Sequence, residues 1–228
     1  MTTTFFGDRS SSLALVILIM LVVSLAQTGI SYTMAFGALS ALLPRDRSSI
    51  ATSLAIVRFS LVALMAVLWA LRKKHWLFHL IVIANALFTI ALLIQTSSLI
   101  AALFGGASEA VNALLLDVLL MATSNILIFS IWYWLTDPPG IEDEPRADEP
   151  WDLLFPQRSS PLPNYEGWVP HYLDYVFVAF TTSFAFSPTD TLPLTRRAKM
   201  LMLLQAAISV VTLTGVAGSA INILAGAK

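Results

Sequence analysis

A short polar turn near the end of the chain holds the side chains best suited to chemistry. Within the four residues Ser187-Pro188-Thr189-Asp190 stand two hydroxyls and a carboxylate. A ring of such carboxylates around an opening favours cations, with weak selectivity among them. A turn whose carboxylate caps a helix explains the same residues equally well. Both interpretations stay open at the level of sequence.

A second group of polar residues lies in the long apolar segment that follows the turn. Gln205, Ser209 and Thr212 recur at spacings of three and four residues, so they share one helical face, and Ser219 and Asn222 form a similar pair further along. Such a stripe either lines water or binds neighbouring helices by hydrogen bonds, since small and polar residues are common at helix contacts.

Two ionisable residues stand inside apolar segments, Arg58 in the second and Asp117 in the fourth. An isolated charge at the centre of a bilayer costs at least ~2.5 kcal/mol, which favours pairing. We therefore expect an ion pair between Arg58 and Asp117. The alternative is that the long Arg58 side chain reaches the membrane surface.

Other chemistry has little support. The chain has no cysteine, which excludes thiolate chemistry and disulfides. No catalytic triad, glycine-rich phosphate loop or pair of catalytic carboxylates stands out. His75 and His79 are four residues apart, but no further metal ligand lies near them in the sequence. We expect no enzyme activity, no cofactor and no metal site.

The composition is that of a protein embedded in a lipid bilayer. Hydrophobic residues make up 57% of the chain and charged residues 12%, with a mean hydropathy of +0.78. Soluble domains carry about 25% charged residues. The net charge of -1 gives no reason to expect a nucleic-acid partner.

Five apolar segments are long enough to cross a membrane, which takes roughly 20 helical residues. They cover about residues 13–43, 52–71, 76–104, 109–134 and 198–224. Proline, glycine or clustered charges end the first four. The sequence therefore predicts an all-α integral membrane fold with five transmembrane helices.

A sixth apolar segment, residues 172–186, is too short to span. We expect it to be re-entrant, followed by a turn at 187–195 and the last helix at 198–224. The division expected is 1–107 for three peripheral helices and 108–228 for a pore-like module. The acidic, proline-rich stretch 137–170 is predicted to be a solvated loop that packs on the membrane surface or on a neighbouring subunit through its aromatic residues.

Residues 172–224 resemble the pore-loop channel superfamily. Potassium channels carry a pore helix, the filter Val-Gly-Tyr-Gly-Asp, a proline turn and an inner helix. An ungapped match sets Ala185-Phe186-Ser187-Pro188-Thr189-Asp190 against that filter and Pro193-Leu194-Thr195 against the proline turn. The resemblance implies a homotetramer with these six residues at the constriction and the stripe of the last helix lining the pore.

The match departs from a potassium filter at both glycines. Ser187 and Thr189 occupy those positions, and Pro188 between them has a fixed backbone dihedral. Stacked rings of backbone carbonyls are therefore not expected. The prediction is a weakly selective channel for monovalent cations, with a constriction lined by side chains. The alternative is a non-conducting structural or sensory membrane protein with a channel-like fold.

Over most of its length the chain is similar to a bacterial family of five-helix membrane proteins of unknown function. The similarity is carried by Tyr175-Val176-Phe177, by Phe186 to Asp190 and by Arg196-Arg197-Ala198-Lys199. It implies a multi-pass protein of the cell (inner) membrane. Counting basic residues near the spans favours a cytoplasmic N-terminus and loop, whereas the channel resemblance favours the reverse orientation.

Overall fold

A computed structural model describes residues 4–33, 47–105, 111–137, 151–160, 162–165, 168–185 and 190–226. Its five long helices are α1 (Thr4–Thr33), α2 (Arg47–Ala70), α3 (Lys74–Gly105), α4 (Val111–Thr136) and α7 (Arg196–Gly226). All five are long and apolar enough to cross a membrane, with mean hydropathies from 1.5 to 2.5. The predicted all-α fold with five apolar helices is confirmed. The first predicted segment continued to residue 43, but α1 ends at Thr33 and residues 34–46 lie outside the described residues.

Short elements connect α4 to α7. They are β1 (Leu153–Leu154), α5 (Pro156–Ser159), a 3-10 turn (Pro163–Tyr165), α6 (Tyr172–Ala185) and β2 (Leu192–Pro193). The two strands pair antiparallel, with Leu153 opposite Pro193 and Leu154 opposite Leu192. Proline is tolerated here because the pair is only two strands wide and both strands are edges.

Helix α6 is the short helix that the sequence predicts in this region. Its 14 residues extend about 21 Å at 1.5 Å per residue, less than the ~30 Å of a hydrocarbon core. One face is buried and the opposite face is exposed and apolar. The buried residues are Tyr172, Tyr175, Val178, Ala179, Thr182 and Ser183, and the large exposed ones are Leu173, Phe177, Phe180 and Phe184.

Helix α4 lies at the centre of the packing. It contacts α1, α3, α6 and α7, and it buries Met121, Ile128 and Phe129 completely. Helix α2 packs against α1 and α3. Helix α1 also packs along α4. The sequence-based division into three peripheral helices and a central module concerns the assembled tetramer and stays a prediction.

The connection between α4 and α6 packs in part on the chain's own helices. Its described residues are 151–160, 162–165 and 168–171, and among them Leu153 and Phe155 have buried side chains. The ring of Phe155 lies 5.6 Å from those of Trp168 and Tyr175. Phe155 and Trp168 thus contact each other and Phe155 contacts α6 within one subunit. The expected contact of this stretch with the membrane surface or a neighbouring subunit stays a prediction.

Candidate functional site

Two polar clusters join α4, α6 and α7. The first, here the membrane cluster, consists of Asn125, Tyr133, Ser183, Gln205 and Ser209, and all five residues are buried. The second, here the loop cluster, consists of Asp137, Asp152, Arg158, Tyr175 and Thr195 and lies beyond the C-terminal end of α4.

Gln205 of α7 is the centre of the membrane cluster. Its Nε2 donates to the carbonyl of Ala179 at 2.7 Å and to Oγ of Ser183 at 2.8 Å, both on α6. Its Oε1 accepts from the hydroxyl of Tyr133 on α4 at 2.5 Å. Its backbone carbonyl accepts from Nδ2 of Asn125 at 3.3 Å. One amide side chain therefore fixes three helices to one another.

The other residues of the predicted stripe are also buried within the subunit. Ser209 Oγ accepts from Asn125 Nδ2 at 2.9 Å, and the Thr212 hydroxyl lies within 2.9 Å of the Ser209 carbonyl. Gln205 and Ser209 thus bond to neighbouring helices, whereas the Thr212 hydroxyl bonds to carbonyls of its own helix. Ser219 and Asn222 belong to α7, but their side chains are outside the described part of the structure.

Contacts along α4 show how α6 runs. The Tyr172 hydroxyl, at the start of α6, lies 2.8 Å from Oγ of Ser130. Near the end of α6, Phe184 shares a cavity with Val118 and Ala122. Because Ser130 and Ala122 are two turns apart, α6 is antiparallel to α4 and runs from its C-terminal end toward its N-terminal half.

The chain after α6 returns to the C-terminal end of α4. Strand β2 pairs with β1, and the backbone N–H of Leu194 donates to the carbonyl of Asp152 at 2.9 Å. The N–H of Asp152 in turn donates to the carboxylate of Asp137, the residue after α4, at 3.1 Å. Tyr172 and Leu194 are therefore at the same end of the helix bundle.

Asp137 is the most heavily hydrogen-bonded residue of the loop cluster. Its carboxylate accepts from the N–H groups of Asp152 and Leu153 at 3.1 Å and from the Tyr175 hydroxyl at 2.8 Å. It also accepts from Arg158 at 2.9 and 3.3 Å. Burial raises the pKa of the Asp137 carboxyl, and the hydrogen bonds and positive charge of Arg158 act in the opposite direction.

Arg158 is enclosed as completely as its partner. Its Nη1 donates to the Leu153 carbonyl at 2.7 Å. Its guanidinium carbon lies 4.8 Å from the ring centre of Trp151 and 5.5 Å from that of Phe155. Its side chain is 5% exposed and that of Asp137 is 0% exposed. The buried ion pair between Asp137 and Arg158 holds residues 151–160 against the C-terminal end of α4.

Asp152 connects the same segment to the start of α7. Its Oδ1 accepts from the Thr195 hydroxyl, and its Oδ2 lies 3.4 Å from Nη2 of Arg197. The Thr195 Oγ1 accepts from the N–H of Ala198 at 3.2 Å, which is the geometry of an N-cap. Thr195 therefore caps α7.

This cap gives a first prediction. Thr195→Ala should lower the free energy of unfolding by about 1 kcal/mol, the usual value for loss of an N-cap, while Asp190→Ala should change it little. Denaturant unfolding of both variants in detergent micelles measures the difference. A larger loss from Asp190→Ala than from Thr195→Ala would contradict the assignment of the cap.

The structure describes two of the six filter-like residues. Ala185 ends α6 and is exposed. Asp190 is also exposed, and within the described residues its carboxylate makes no hydrogen bond or ion pair. Phe186, Ser187, Pro188 and Thr189 lie outside the described residues.

The ion pair expected between Arg58 and Asp117 stays a prediction. Both residues are buried, and Nη1 of Arg58 donates to Oγ of Ser31 on α1 at 3.1 Å. Helix α1 packs against both α2 and α4, so it lies between the helices that carry the two charges. The Arg58 guanidinium thus donates a hydrogen bond to a hydroxyl on the intervening helix α1.

The two histidines contact each other and their own helix. Nδ1 of His79 lies 2.8 Å from the His75 carbonyl, and the ring centres are 4.4 Å apart. Across the described ranges, no group of three or more His, Cys, Asp or Glu side chains is placed to hold a metal ion.

The loop cluster was missed by the sequence analysis, which treated residues 137–170 as one solvated loop. A local signal was present: Arg158 follows Trp151 and Phe155, which are aromatic partners suited to a guanidinium. The partner of Arg158 is 21 residues earlier, and no pattern in the sequence indicates that distance.

The fold and the buried polar clusters are those of a multi-pass membrane protein. Comparison of the chain with known family models, with curated proteins and with solved structures found no match. The resemblance to pore-loop channels therefore stays a prediction, and the functional argument rests on geometry.

Proposed function

We propose that the chain is one subunit of a homotetrameric, cation-permeable channel in which α6 is a re-entrant pore helix and residues 185–190 form the constriction. The observation that carries the proposal is the course of the chain around α6. Tyr172 contacts Ser130, Phe184 reaches the level of Ala122, and Leu194 is again beside Asp152. A segment that enters and leaves at one end of a transmembrane helix has the topology of a pore loop.

The depth of α6 supports this topology. From Ser130 to Ala122 along α4 is about 12 Å, at 1.5 Å per residue, so the end of α6 would lie inside a hydrocarbon core ~30 Å thick. Irregular backbone at that depth is tolerated only where protein or a water-filled cavity covers it. Copies of the chain around an axis provide such cover, and a single re-entrant segment cannot enclose a pore.

Asp190 is the residue through which the proposed pore would select for charge. The alternative considered for it is a helix-capping carboxylate, and the cap of α7 by Thr195 supports a role for Asp190 other than capping that helix. The Asp190 carboxylate is exposed in the single subunit. Four such carboxylates near one axis would raise the local concentration of cations and repel anions. The permeating ions would be monovalent cations. Selectivity among them would be weak, because side chains rather than rings of backbone carbonyls would form the narrow point.

Recording from purified protein in planar bilayers tests the proposal. The expected result is unitary currents carried by potassium and sodium with little preference and with chloride excluded, measured under bi-ionic gradients. Native mass spectrometry of the same preparation is expected to give a tetramer. A stable tetramer that passes no current under varied voltage, pH and calcium would contradict the channel proposal.

Asp190→Asn should lower the cation conductance, and most strongly at low salt, where charges are screened least. Asp174→Asn is the matched control, because Asp174 accepts a hydrogen bond from the His171 N–H at the other end of α6 and asparagine can serve in that role. The control should conduct like the wild-type protein. Equal conductance of Asp190→Asn and wild-type tetramers across salt concentrations would remove Asp190 from the permeation path.

One observation favours a second function, that of a non-conducting structural or sensory membrane protein. The polar face of α7 is turned toward α4 and α6, and the face left exposed carries Met200, Leu203 and Val210. A lumen lined by this face would be apolar, and apolar constrictions close by dewetting. If the protein has this second function, the tetramer should form and no condition should give a current. Asp190→Asn should then leave the tetramer unchanged.

A further inference from the structure

A small cavity lies between α4, α6 and α7, beside the membrane cluster. Its volume is about 20 Å³, and it is lined by Val118, Ala122, Ile126, Ser183, Phe184, Ser209, Thr212 and Leu213. The wall is apolar apart from three hydroxyl-bearing residues, one on α6 and two on α7. A cavity needs roughly 10–15 Å³ to hold one water molecule, together with two to four polar partners.

The hydroxyls in the wall have hydrogen-bonding capacity to spare. Oγ of Ser183 accepts from Gln205, and Oγ of Ser209 accepts from Asn125, so each serine keeps its own proton to donate. The Thr212 hydroxyl donates to carbonyls of its own helix, so its oxygen can accept. Two donors and one acceptor therefore line one cavity.

A further acceptor lies next to this set. Asn125 is 1% exposed, and its Nδ2 is 2.9 Å from Oγ of Ser209. Its Oδ1 is buried and has no hydrogen-bond partner within the part of the chain that the structure describes. A buried amide oxygen left without a donor costs about 1–3 kcal/mol. A molecule that accepts from the two serines and donates to Thr212 and Asn125 would meet all of these requirements.

We infer that this cavity is a binding site for one water molecule that joins the last turn of α6 to α7. Water has two donors and two acceptors, which matches the three hydroxyls of the cavity wall together with Oδ1 of Asn125, the residue bonded to Ser209. A monovalent cation would find no carboxylate in the cavity wall, and an anion would find no positive charge there. The exposed side chains of Phe184 and Leu213 form the outer side of the cavity.

The site does not depend on conduction. It supplies a hydrogen-bonded connection at the end of α6 whether the assembled protein passes ions or not. It also implies that water reaches this depth of the bundle, at the level of Ala122.

Solid-state NMR of the full-length protein in lipid bilayers, with magnetisation transferred from water protons, tests the site. The expected result is rapid transfer to Ser183 and Ser209 in the wild-type protein and loss of that transfer in Ala122→Leu, which fills the cavity with a side chain. Ala207→Leu, an exposed position on α7, is the control and should keep the transfer. A high-resolution map should show an ordered peak within hydrogen-bond distance of both serine oxygens.

Transfer to the two serines that is absent in the wild-type protein would overturn the inference, as would transfer that persists unchanged in Ala122→Leu. A peak whose height depends on added sodium or potassium would assign the cavity to an ion and also overturn it. If Ala122→Leu does not fold, Thr212→Val replaces it, because this near-isosteric change removes one acceptor and should weaken the transfer.

Discussion

Asp137→Ala is expected to lower the free energy of unfolding by about 3–5 kcal/mol, because it leaves the Arg158 guanidinium buried without its carboxylate. The N–H groups of Asp152 and Leu153 and the hydroxyl of Tyr175 lose their acceptor in the same variant. Residues 151–160 should then separate from the end of α4. Unfolding by denaturant in detergent micelles measures the stability, and limited proteolysis measures the exposure of the segment.

Two further variants show whether the buried charge causes the loss. Asp137→Ala combined with Arg158→Met should lower the free energy of unfolding less than Asp137→Ala alone does, because the double variant buries no unpaired guanidinium. Asp174→Ala, which removes a carboxylate that accepts from a single N–H near the start of α6, should cost only about 1 kcal/mol as a capping residue does. A double variant as unstable as the sum of its two single changes would contradict a direct interaction between Asp137 and Arg158.

Gln205→Leu is expected to have the second-largest effect. It keeps the apolar volume and removes the side-chain hydrogen bonds to Tyr133, Ala179 and Ser183. Hydrogen bonds between membrane helices contribute about 0.6 kcal/mol each on average, so the three together should contribute about 2 kcal/mol. The same unfolding measurement in micelles gives the value, and α6 should become accessible to protease.

Thr214→Val is the matched control for Gln205→Leu. Thr214 is on the same helix, is exposed, and bonds only to the carbonyl of Val210 one turn earlier. Its replacement should change stability by a few tenths of a kcal/mol at most, as is usual for exposed positions. Tyr133→Phe should lower the free energy of unfolding less in the Gln205→Leu variant than in the wild-type protein, since Tyr133 and Gln205 share one hydrogen bond. If Tyr133→Phe destabilised the wild-type protein and the Gln205→Leu variant equally, the result would contradict the central role of Gln205.

Helix positions could be predicted from sequence because their cause is local. The length and hydropathy of a segment determine whether it can cross a bilayer, and this was sufficient for the five long helices and for the short helix near residues 172–186. The predicted end of the first segment at residue 43 lies outside the described residues, and the described part of α1 ends at Thr33. The β1–β2 pair gave no signal, since two-residue strands depend on contacts between segments 40 residues apart.

The site was predictable only in its residue types. The spacing of Gln205, Ser209 and Thr212 predicted a shared face, but whether that face meets water or another helix depends on the rotation of α7 against α4. The Arg58–Asp117 pair was inferred from the cost of isolated charge and stays a prediction, and the hydrogen bond from Arg58 to Ser31 had no signal in the sequence. Composition cannot show which of several polar residues on neighbouring helices lies within reach. The loop cluster depends on the same kind of long-range contact.

In the proposed topology the chain enters the membrane with α6 and returns on the same side. Because the chain has no cysteine, single cysteines can be introduced without removing others. His171→Cys and Leu194→Cys lie before and after the re-entrant segment, and Ser49→Cys at the start of α2 lies at the opposite end of the bundle; all three positions are exposed. With a membrane-impermeant thiol reagent applied to one face of sealed vesicles, His171→Cys and Leu194→Cys should be labelled together and Ser49→Cys only from the other face. Labelling of His171→Cys and Leu194→Cys from opposite faces would show that α6 crosses the membrane and would contradict the account.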